Sequence, residues 1–273
     1  MTSIAEKLKI LGGQAKYDVH TSKQRSHFTA PLGGVYPSVA GNGRIVCLFK
    51  VLMTNRCCYD CNYCINRASR TQRRESFTPV ELASTFMKLY NQGFVRGLFL
   101  SSGMGRDPIE TMEQMLEAVR ILRFKYRFKG YIHLKILPGA SQDQIKEACL
   151  LANRVSINLE APTPSHLSEI AEQKEFMVDL VRRQLWIRDF LKKLGKLFYF
   201  LFLPLSNMSH SYHPSIFTAG PIVVLMYADL SWFSPLSSFP IIAFSTVSTF
   251  SATFSSSMDS VPTGACTTGL FLS

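Results

Sequence analysis

Residues 54–64 read Thr54-Asn55-Arg56-Cys57-Cys58-Tyr59-Asp60-Cys61-Asn62-Tyr63-Cys64, and this stretch holds four of the chain's seven cysteines. The spacing Cys57-x3-Cys61-x2-Cys64, with the aromatic Tyr63 before the last cysteine, puts three thiolates on one short loop. Such a set can hold three irons of a cubane cluster and leave the fourth without a protein ligand, open to a small chelating molecule. An open iron makes a cluster a catalyst; a fully ligated one is an electron wire. Two other readings use the same residues. Cys58-x2-Cys61-x2-Cys64 with Cys57 suits zinc, although zinc ligands usually come from two separated knuckles and only one is visible. A cluster kept for structure or electron transfer is the other. Crowded thiols in an odd-numbered set fit a metal site in a reducing cytosol better than a disulfide framework.

Outward from the cysteines the chain alternates between two textures. Before them runs Ile45–Met53, apolar and strand-like. After them come a basic loop with Arg67, Arg70, Arg73 and Arg74, and then Thr78-Pro79-Val80-Glu81. That tetrapeptide predicts a helix start, with threonine as cap, proline in the first turn and glutamate closing a capping box. Leu82, Phe86 and Leu89 then follow at helical spacing as a buried stripe. The unit recurs. Gly97–Leu100 is a strand, and Asp107-Pro108-Ile109-Glu110 opens a helix with Met112, Met115, Leu116 and Val119 inward. Tyr131–Leu137 is a strand, and Ser141-Gln142-Asp143-Gln144 caps a helix with Ile145, Ala148 and Ala152 inward. Val155–Leu159 is the fourth strand, and Thr163-Pro164 starts a short helix. Four strand–helix units predict an α/β fold with parallel strands and crossover helices. A partial (β/α) barrel and a doubly wound sheet both fit this local pattern, and in either one ligands gather at the carboxyl ends of the strands.

The 273 residues are 47% hydrophobic and 18% charged, which excludes a wholly disordered chain. The formal net charge of +11 permits an anionic partner without requiring one. No Lys or Arg follows Lys196, and only Asp229 and Asp259 carry charge beyond it. Three regions are therefore expected: a loop-rich leader over 1–43, a core over 44–175, and an atypical Ser/Phe-rich tail over 176–273. The tail's composition fits a shifted reading frame or a truncation better than a membrane-associated tail or an unusual soluble domain. Its apolar runs, Leu197–Leu205 and Ile216–Tyr227, are too short to span a bilayer. The N-terminus lacks the apolar core of a signal peptide, so a cytoplasmic protein away from membranes is expected. Cys47 in a strand and Cys149 on an apolar helix face read as small core residues.

The cysteine spacing, with its aromatic after the first strand of a βα series, resembles the radical S-adenosylmethionine superfamily. In that superfamily the open iron of a [4Fe–4S] cluster binds the methionine amino and carboxylate groups of S-adenosyl-L-methionine. Reductive cleavage by an external electron donor then yields a 5′-deoxyadenosyl radical. The wording is closer still to one branch. It shows in Glu6-Lys7-Leu8-Lys9-Ile10-Leu11, in Ala15-Lys16-Tyr17-Asp18-Val19, in Thr54-Asn55-Arg56-Cys57 through Cys64-Ile65-Asn66-Arg67, and in Gly97-Leu98-Phe99-Leu100-Ser101-Ser102-Gly103. Tyr131-Ile132-His133-Leu134-Lys135 and Pro138-Gly139-Ala140 complete it. Over about Ile4 to Lys174 the chain resembles the DNA modification/repair radical S-adenosylmethionine proteins, linked in genomes to a uracil-DNA-glycosylase-like partner. The resemblance implies a longer bacterial cytoplasmic protein with a C-terminal helix-hairpin-helix DNA-binding region.

It also implies roles for single residues. Cys57, Cys61 and Cys64 are the cluster ligands, and Tyr63 is the aromatic beside the cofactor. Ser101-Ser102-Gly103 ends the second strand where the superfamily's backbone receives the methionine amino group. Alternation puts Ser156, Asn158 and Glu160 on one face of the fourth strand, where buried polar groups are costly unless they face a polar cavity. Asn158 and Glu160 there fit the ribose hydroxyls and the methionine moiety; the plainer reading is that Glu160 pairs with a neighbouring cation. Lys135 shares a face with His133 and suits a carboxylate of cofactor or substrate, or an ion pair with Glu160. For nucleic acid, the Arg67–Arg74 loop and the cluster Arg120, Arg123, Lys125, Arg127 and Lys129 are candidate phosphate contacts, or else a solvated basic face. A radical enzyme acting on a small molecule or a protein, an inactive fragment, and a zinc- or cluster-bearing DNA-binding module are the competing readings.

Overall fold

The computed structural model describes residues 2–17, 33–39, 43–196, 198–203 and 222–227, the last two stretches as strand backbone alone. Each expected helix begins at its expected cap. Thr78 and Glu81 form a reciprocal capping box at the start of α2, Pro79–Asn91. Asp107 caps α3, Pro108–Arg120, by accepting from the Ile109 amide at 2.8 Å. Ser141 and Gln144 make the box of α4, Gln142–Leu151, and Thr163 caps α5, Pro164–Ile170. These devices need only residues within four positions of one another, so sequence alone reveals them.

The strands are β1 (Val35–Val39), β2 (Ile45–Leu52), β3 (Gly97–Ser101), β4 (Tyr131–Lys135), β5 (Arg154–Asn158), β6 (Phe198–Leu203) and β7 (Ile222–Tyr227). They lie in the order β1-β2-β3-β4-β5-β7-β6, with β2 to β5 parallel and the remaining pairings antiparallel. Four parallel strands in chain order, with no reversal, are the arrangement of a partial (β/α) barrel. A doubly wound sheet would reverse its order at a switch point.

The two faces of this sheet differ in chemistry. Phe49, Val51, Leu98, Leu100, Ile132, Leu134, Val155 and Ile157 are wholly buried and alternate along their strands. They meet the inward stripes of the helices, including Leu82 and Phe86 on α2 and Met112, Met115 and Leu116 on α3. Burying one such side chain contributes about 1.5–3 kcal/mol. The intervening positions carry Ser101, His133, Lys135 and Ser156, all buried, as befits a polar barrel interior. His133 Nε2 lies 2.8 Å from Ser156 Oγ, and its ring meets Phe99 edge-on at 4.6 Å.

Parts of residues 1–43 are built into the core. A short helix, α1 (Ile4–Lys7), continues as a π-helical turn to Gly12, and β1 adds to the edge of β2. Gly12 and Gly33 serve where backbones touch. A Cβ on Gly12 would fall 2.5 Å from the Gly34 nitrogen, and one on Gly33 would fall 2.6 Å from the Leu8 carbonyl oxygen. At the other end, α6 (Arg182–Lys193) packs with Ile187 and Leu191 inward. Cys149 is wholly buried, and burial pushes its thiol up to about 12; Cys47 is half-buried. Cys266, Asp229 and Asp259 lie outside the described residues.

Candidate cluster and cofactor site

Beyond β2 the chain leaves the sheet at its carboxyl end and runs without regular structure from Asn55 to Ser76. Its backbone groups are met partly by other backbone groups, as where the Ala68 amide donates to the Tyr59 carbonyl, and partly by side chains. Asn55, fully buried, accepts from the Glu75 amide at 2.7 Å and donates to the Arg73 carbonyl at 2.9 Å. Thr54 Oγ1 donates to the Glu75 carbonyl at 2.9 Å. Arg74 does more. Its guanidinium donates to the carbonyls of Asn55 (2.5 Å) and Asn66 (2.9 Å) through one nitrogen, and to those of Arg67 (2.6 Å) and Arg70 (3.0 Å) through the other. Asn55 precedes the cysteines and Asn66 follows them, so one planar fork closes the loop at its neck.

Two residues of the basic loop Arg67–Arg74 are engaged within the protein. Arg74 is turned inward, and Arg73 meets Glu75 at 2.9 Å and Glu6 at 3.4 Å. Two members of the second basic cluster are engaged in the same way. Arg120 pairs with Glu147, Glu113 and Glu117 at 2.6, 2.6 and 3.0 Å. Arg123 donates to the carbonyls of Leu151, Phe128 and Gly130 and to the Asn153 side chain. Several of these partners are backbone carbonyls, and Glu6 and Glu147 are distant in sequence; a one-dimensional charge pattern shows neither.

Of the loop's cysteines, Cys61 is buried, Cys57 and Cys64 are half-buried against the core, and Cys58 is exposed. Burial pushes the Cys64 thiol up to about 11, against an amide of Asn66 that donates to its sulfur at 3.3 Å. Cys61 is raised by burial too, and Cys57 adds to the shift at both. Burial and repulsion from neighbouring thiolates oppose ionisation at Cys61 and Cys64, and a cationic iron–sulfur core would stabilise both as thiolates. The amide aimed at Cys64 is the kind of contact that tunes such a core. Among the described residues no three His, Cys, Asp or Glu side chains are gathered closely enough to share one metal ion. Three cysteines on one loop, one of them with an amide aimed at its sulfur, are a donor set that would suit a cluster on Cys57, Cys61 and Cys64.

Beside the thiols stands a compact polar group that sequence reading reached only in part. The Tyr63 hydroxyl donates to Glu160, and Lys174 Nζ lies 2.5 Å from the same Glu160 oxygen and 3.1 Å from the tyrosine oxygen. Burial opposes the Lys174 charge, but Glu160 and the nearby Cys61 outweigh it and hold the amine above its ordinary range. The cation that pairs with Glu160 is thus Lys174, and Lys135 bonds Asn158 instead. The alternation that placed Glu160 in a row with Ser156 and Asn158 ends with β5 at Asn158. Glu160 takes a left-handed backbone, φ 65°, and turns its carboxylate toward the cysteine loop. Nothing in the spacing marks Lys174, which follows a short helix and arrives through tertiary packing. The same segment clasps the loop: the Asn62 amide donates to the Ile170 carbonyl at 2.8 Å, and the Asp60 amide to Gln173 at 2.9 Å.

Ser101, Ser102 and Gly103 close the opposite wall. The Gly103 amide donates to the Thr54 carbonyl at 2.7 Å, and Ser102 Oγ accepts from the Thr54 amide at 3.3 Å. A Cβ on Gly103 would fall 2.3 Å from the Arg56 carbonyl oxygen, so only glycine permits this approach. Tyr63 and Glu160 are thus brought together with the cysteines, and Ser101–Gly103 is docked under the loop. Lys135 and Asn158 form a separate pair on the inner face of the sheet.

Comparison with known proteins accords with this geometry. The family model described as the Radical SAM superfamily matches residues 51–194. No curated protein matches the chain. Among solved structures, HydG, a maturase of the [FeFe]-hydrogenase, is similar at 15% identity over 53% of this chain and 32% of its own, with a TM-score of 0.42. Methylornithine synthase (PylB) is similar at 16% identity over 51% of this chain and 40% of its own, with a TM-score of 0.44. HydG from Carboxydothermus hydrogenoformans is similar at 14% identity over 51% and 32%, with a TM-score of 0.42. The matched part therefore spans about a third to two fifths of those chains. Among the described residues no helix is long and apolar enough to cross a membrane. The superfamily's cofactors are a [4Fe–4S] cluster and S-adenosylmethionine, and its model covers the cysteine loop, Glu160, Lys174 and every strand from β3 to β5. By that match, the chain belongs to the radical SAM superfamily.

Proposed function

We propose that this chain forms the core of an enzyme that cleaves S-adenosylmethionine reductively and directs the resulting radical at nucleic acid. The carrying observation is the set of three partly buried thiols, Cys57, Cys61 and Cys64, on a braced loop at the carboxyl end of the parallel strands. When bound, the cluster supplies one electron, received from an external donor, to the sulfonium of S-adenosylmethionine, and homolysis gives a 5′-deoxyadenosyl radical. The protein's part is to hold and to exclude. Cys57, Cys61 and Cys64 would hold three irons. Tyr63, tied to Glu160 and Lys174, fixes the wall beside the last thiol, and Ser101–Gly103 fixes the wall across from it. The polar inner face carrying His133, Lys135, Ser156 and Asn158 leads from that end into the barrel and offers donors to a polar substrate.

DNA as the substrate rests on the resemblance over Ile4–Lys174 and on a basic excess confined to residues before 197. A uracil-DNA-glycosylase-like partner belongs to the same proposal. The engagement of Arg73, Arg74, Arg120 and Arg123 by internal partners favours a second reading, a small-molecule or protein substrate at the cluster end.

Anaerobic reconstitution with iron and sulfide, followed by reduction in the presence of S-adenosylmethionine, tests the enzyme reading. Cluster absorbance and 5′-deoxyadenosine are expected from the wild-type chain and from Cys58→Ala, and neither from Cys61→Ala. Loss of the cluster in Cys58→Ala with retention in Cys61→Ala would overturn this choice of ligands.

A further inference from the structure

We infer that the end of the sheet opposite the cysteines is a docking face for single-stranded nucleic acid. The inference rests on the nucleic-acid reading above and specifies where on the molecule the strand is held. Strands β3, β4 and β5 enter the sheet at this end, and α2, α3, α4 and α6 finish there. Residues 91–97, 121–131, 148–155 and 190–196 make up its surface, and none of them is Asp or Glu.

These segments form one surface. Arg123 joins the turns before β4 and β5 through Phe128, Gly130, Leu151 and Asn153, and Lys196 donates to the Cys149 carbonyl at 3.0 Å. A shallow groove of about 340 Å³ runs between them, lined by Phe128, Lys129, Leu150 and Asn153 among others. Lys129 lines it, and Arg96, Lys125, Arg127, Lys192 and Lys193 are exposed on the same four segments. Aromatic rings stand among these cations: Phe124 is 71% exposed, Phe94 42% and Tyr126 37%.

Helix-dipole complementarity accounts for lysines in a last helical turn, such as Lys192 and Lys193. It does not account for Arg96, Arg127 and Lys129, which lie beyond the helices, nor for an exposed phenylalanine. The turn that presents Phe124, Arg127 and Lys129 is also held in an unusual shape. The chain leaves α3 through a π-helical turn, Ile121–Lys125, and Arg127 adopts φ 52°. Cations track a phosphate backbone, and exposed rings stack unpaired bases. A duplex would leave the rings without that role. The cysteine end differs, with Asp60, Asp107 and Glu160 near the loop and Arg73 and Arg74 already engaged.

The test is binding of a labelled oligothymidine to the whole 273-residue chain, read by anisotropy across salt concentration. Lys125→Glu/Arg127→Glu/Lys129→Glu is expected to weaken binding at least tenfold. It should also flatten the log–log salt slope by about 2, at roughly 0.7 for each phosphate no longer neutralised. Phe124→Ala is expected to cost about tenfold, and Arg67→Glu/Arg70→Glu at the cysteine end less than twofold. Arg67 is half-exposed and the other side chains are exposed, so thermal melting should stay unchanged. Wild-type affinity in the triple variant, with weakened binding in Arg67→Glu/Arg70→Glu, would overturn the inference and move the strand to the cysteine end. Equal competition by polyglutamate, with no effect of Phe124→Ala, would overturn it in favour of an acidic protein. A wild-type chain that binds no oligonucleotide at low salt would remove the nucleic-acid reading itself, and the docking face with it.

Discussion

The cysteine segment, residues 54–76, and the βα scaffold, residues 78–158, hold their shapes by different means. In the scaffold each element is fixed many times over. Phe86 on α2 alone stacks with Phe49 and Tyr90 and meets Phe128 edge-on at 4.9 Å, while ladder bonds and capping boxes satisfy the backbone. The segment that carries the thiols has no ladder. It leans on a few side chains, Asn55, Arg74 and the Glu160–Lys174 pair. A scaffold built on distributed burial should lose stability gradually with substitution. A loop built on a few polar keystones should lose its function at single positions while the rest of the molecule stays folded.

The sharpest way to break that contrast is at the buried pair. The Lys174 and Glu160 side chains are only 7% and 12% exposed. Glu160→Ala leaves the ammonium buried without its carboxylate and should cost about 3–5 kcal/mol in denaturant titration. Tyr63→Phe removes one hydrogen bond to the same carboxylate and should cost about 1 kcal/mol. Equal costs would show that Lys174 escapes to water when Glu160 is removed, and the pair would then be no keystone.

Arg74 and Arg123 sharpen the comparison because each guanidinium binds carbonyl oxygens, one at each end of the sheet. Arg74 joins the neck of the cysteine loop, and Arg123 joins two turns of the scaffold. Either substitution to alanine orphans several carbonyls and should cost about 2–3 kcal/mol of stability. Only Arg74→Ala should also lower bound iron and sulfide, to less than a tenth of wild type after reconstitution. Arg74→Lys should recover little, because a single ammonium cannot span Asn55 and Arg67 as the planar fork does. Added guanidinium should restore part of the cluster to Arg74→Ala. If Arg123→Ala lost its cluster equally, the effect would be global stability and not the loop.

This contrast also explains what could be read from the sequence. Helix starts such as Thr78-Pro79-Val80-Glu81 are local, so they are legible, and the alternation of strands and helices implied four parallel strands while leaving their order open between a barrel and a doubly wound sheet. The cysteine spacing is local as well. Alternation placed Ser156 and Asn158 on the inner face correctly and failed at Glu160, where a left-handed residue ends the strand's periodicity. Arg74 looked like one of several basic loop residues because its partners are backbone oxygens, which have no sequence signature. Lys174 lies 111 residues from Tyr63 and 14 from Glu160, and only the packed chain brings the three together. The close approach of Gly12 to Gly34 is equally a product of packing.

The smallest effect lies in the scaffold itself. Thr78 accepts from the Glu81 amide at 3.2 Å, and the Glu81 carboxylate accepts from the Thr78 amide at 2.8 Å and from Lys7 at 2.7 Å. Thr78→Ala removes one arm of this box and should cost about 1 kcal/mol, seen as a modest fall in the thermal midpoint. The second arm and the ion pair to Lys7 remain, and α2 keeps Leu82, Phe86 and Leu89 buried. Cluster content and 5′-deoxyadenosine production should therefore be unchanged at temperatures well below the midpoint. Thr78 lies only two residues beyond Ser76, whose hydroxyl is 2.6 Å from Thr54 Oγ1 at the base of the cysteine loop. Loss of the cluster in Thr78→Ala would therefore mean that the loop and the scaffold are one cooperative unit, and the division between keystones and distributed burial would fail at the boundary where the two regions meet.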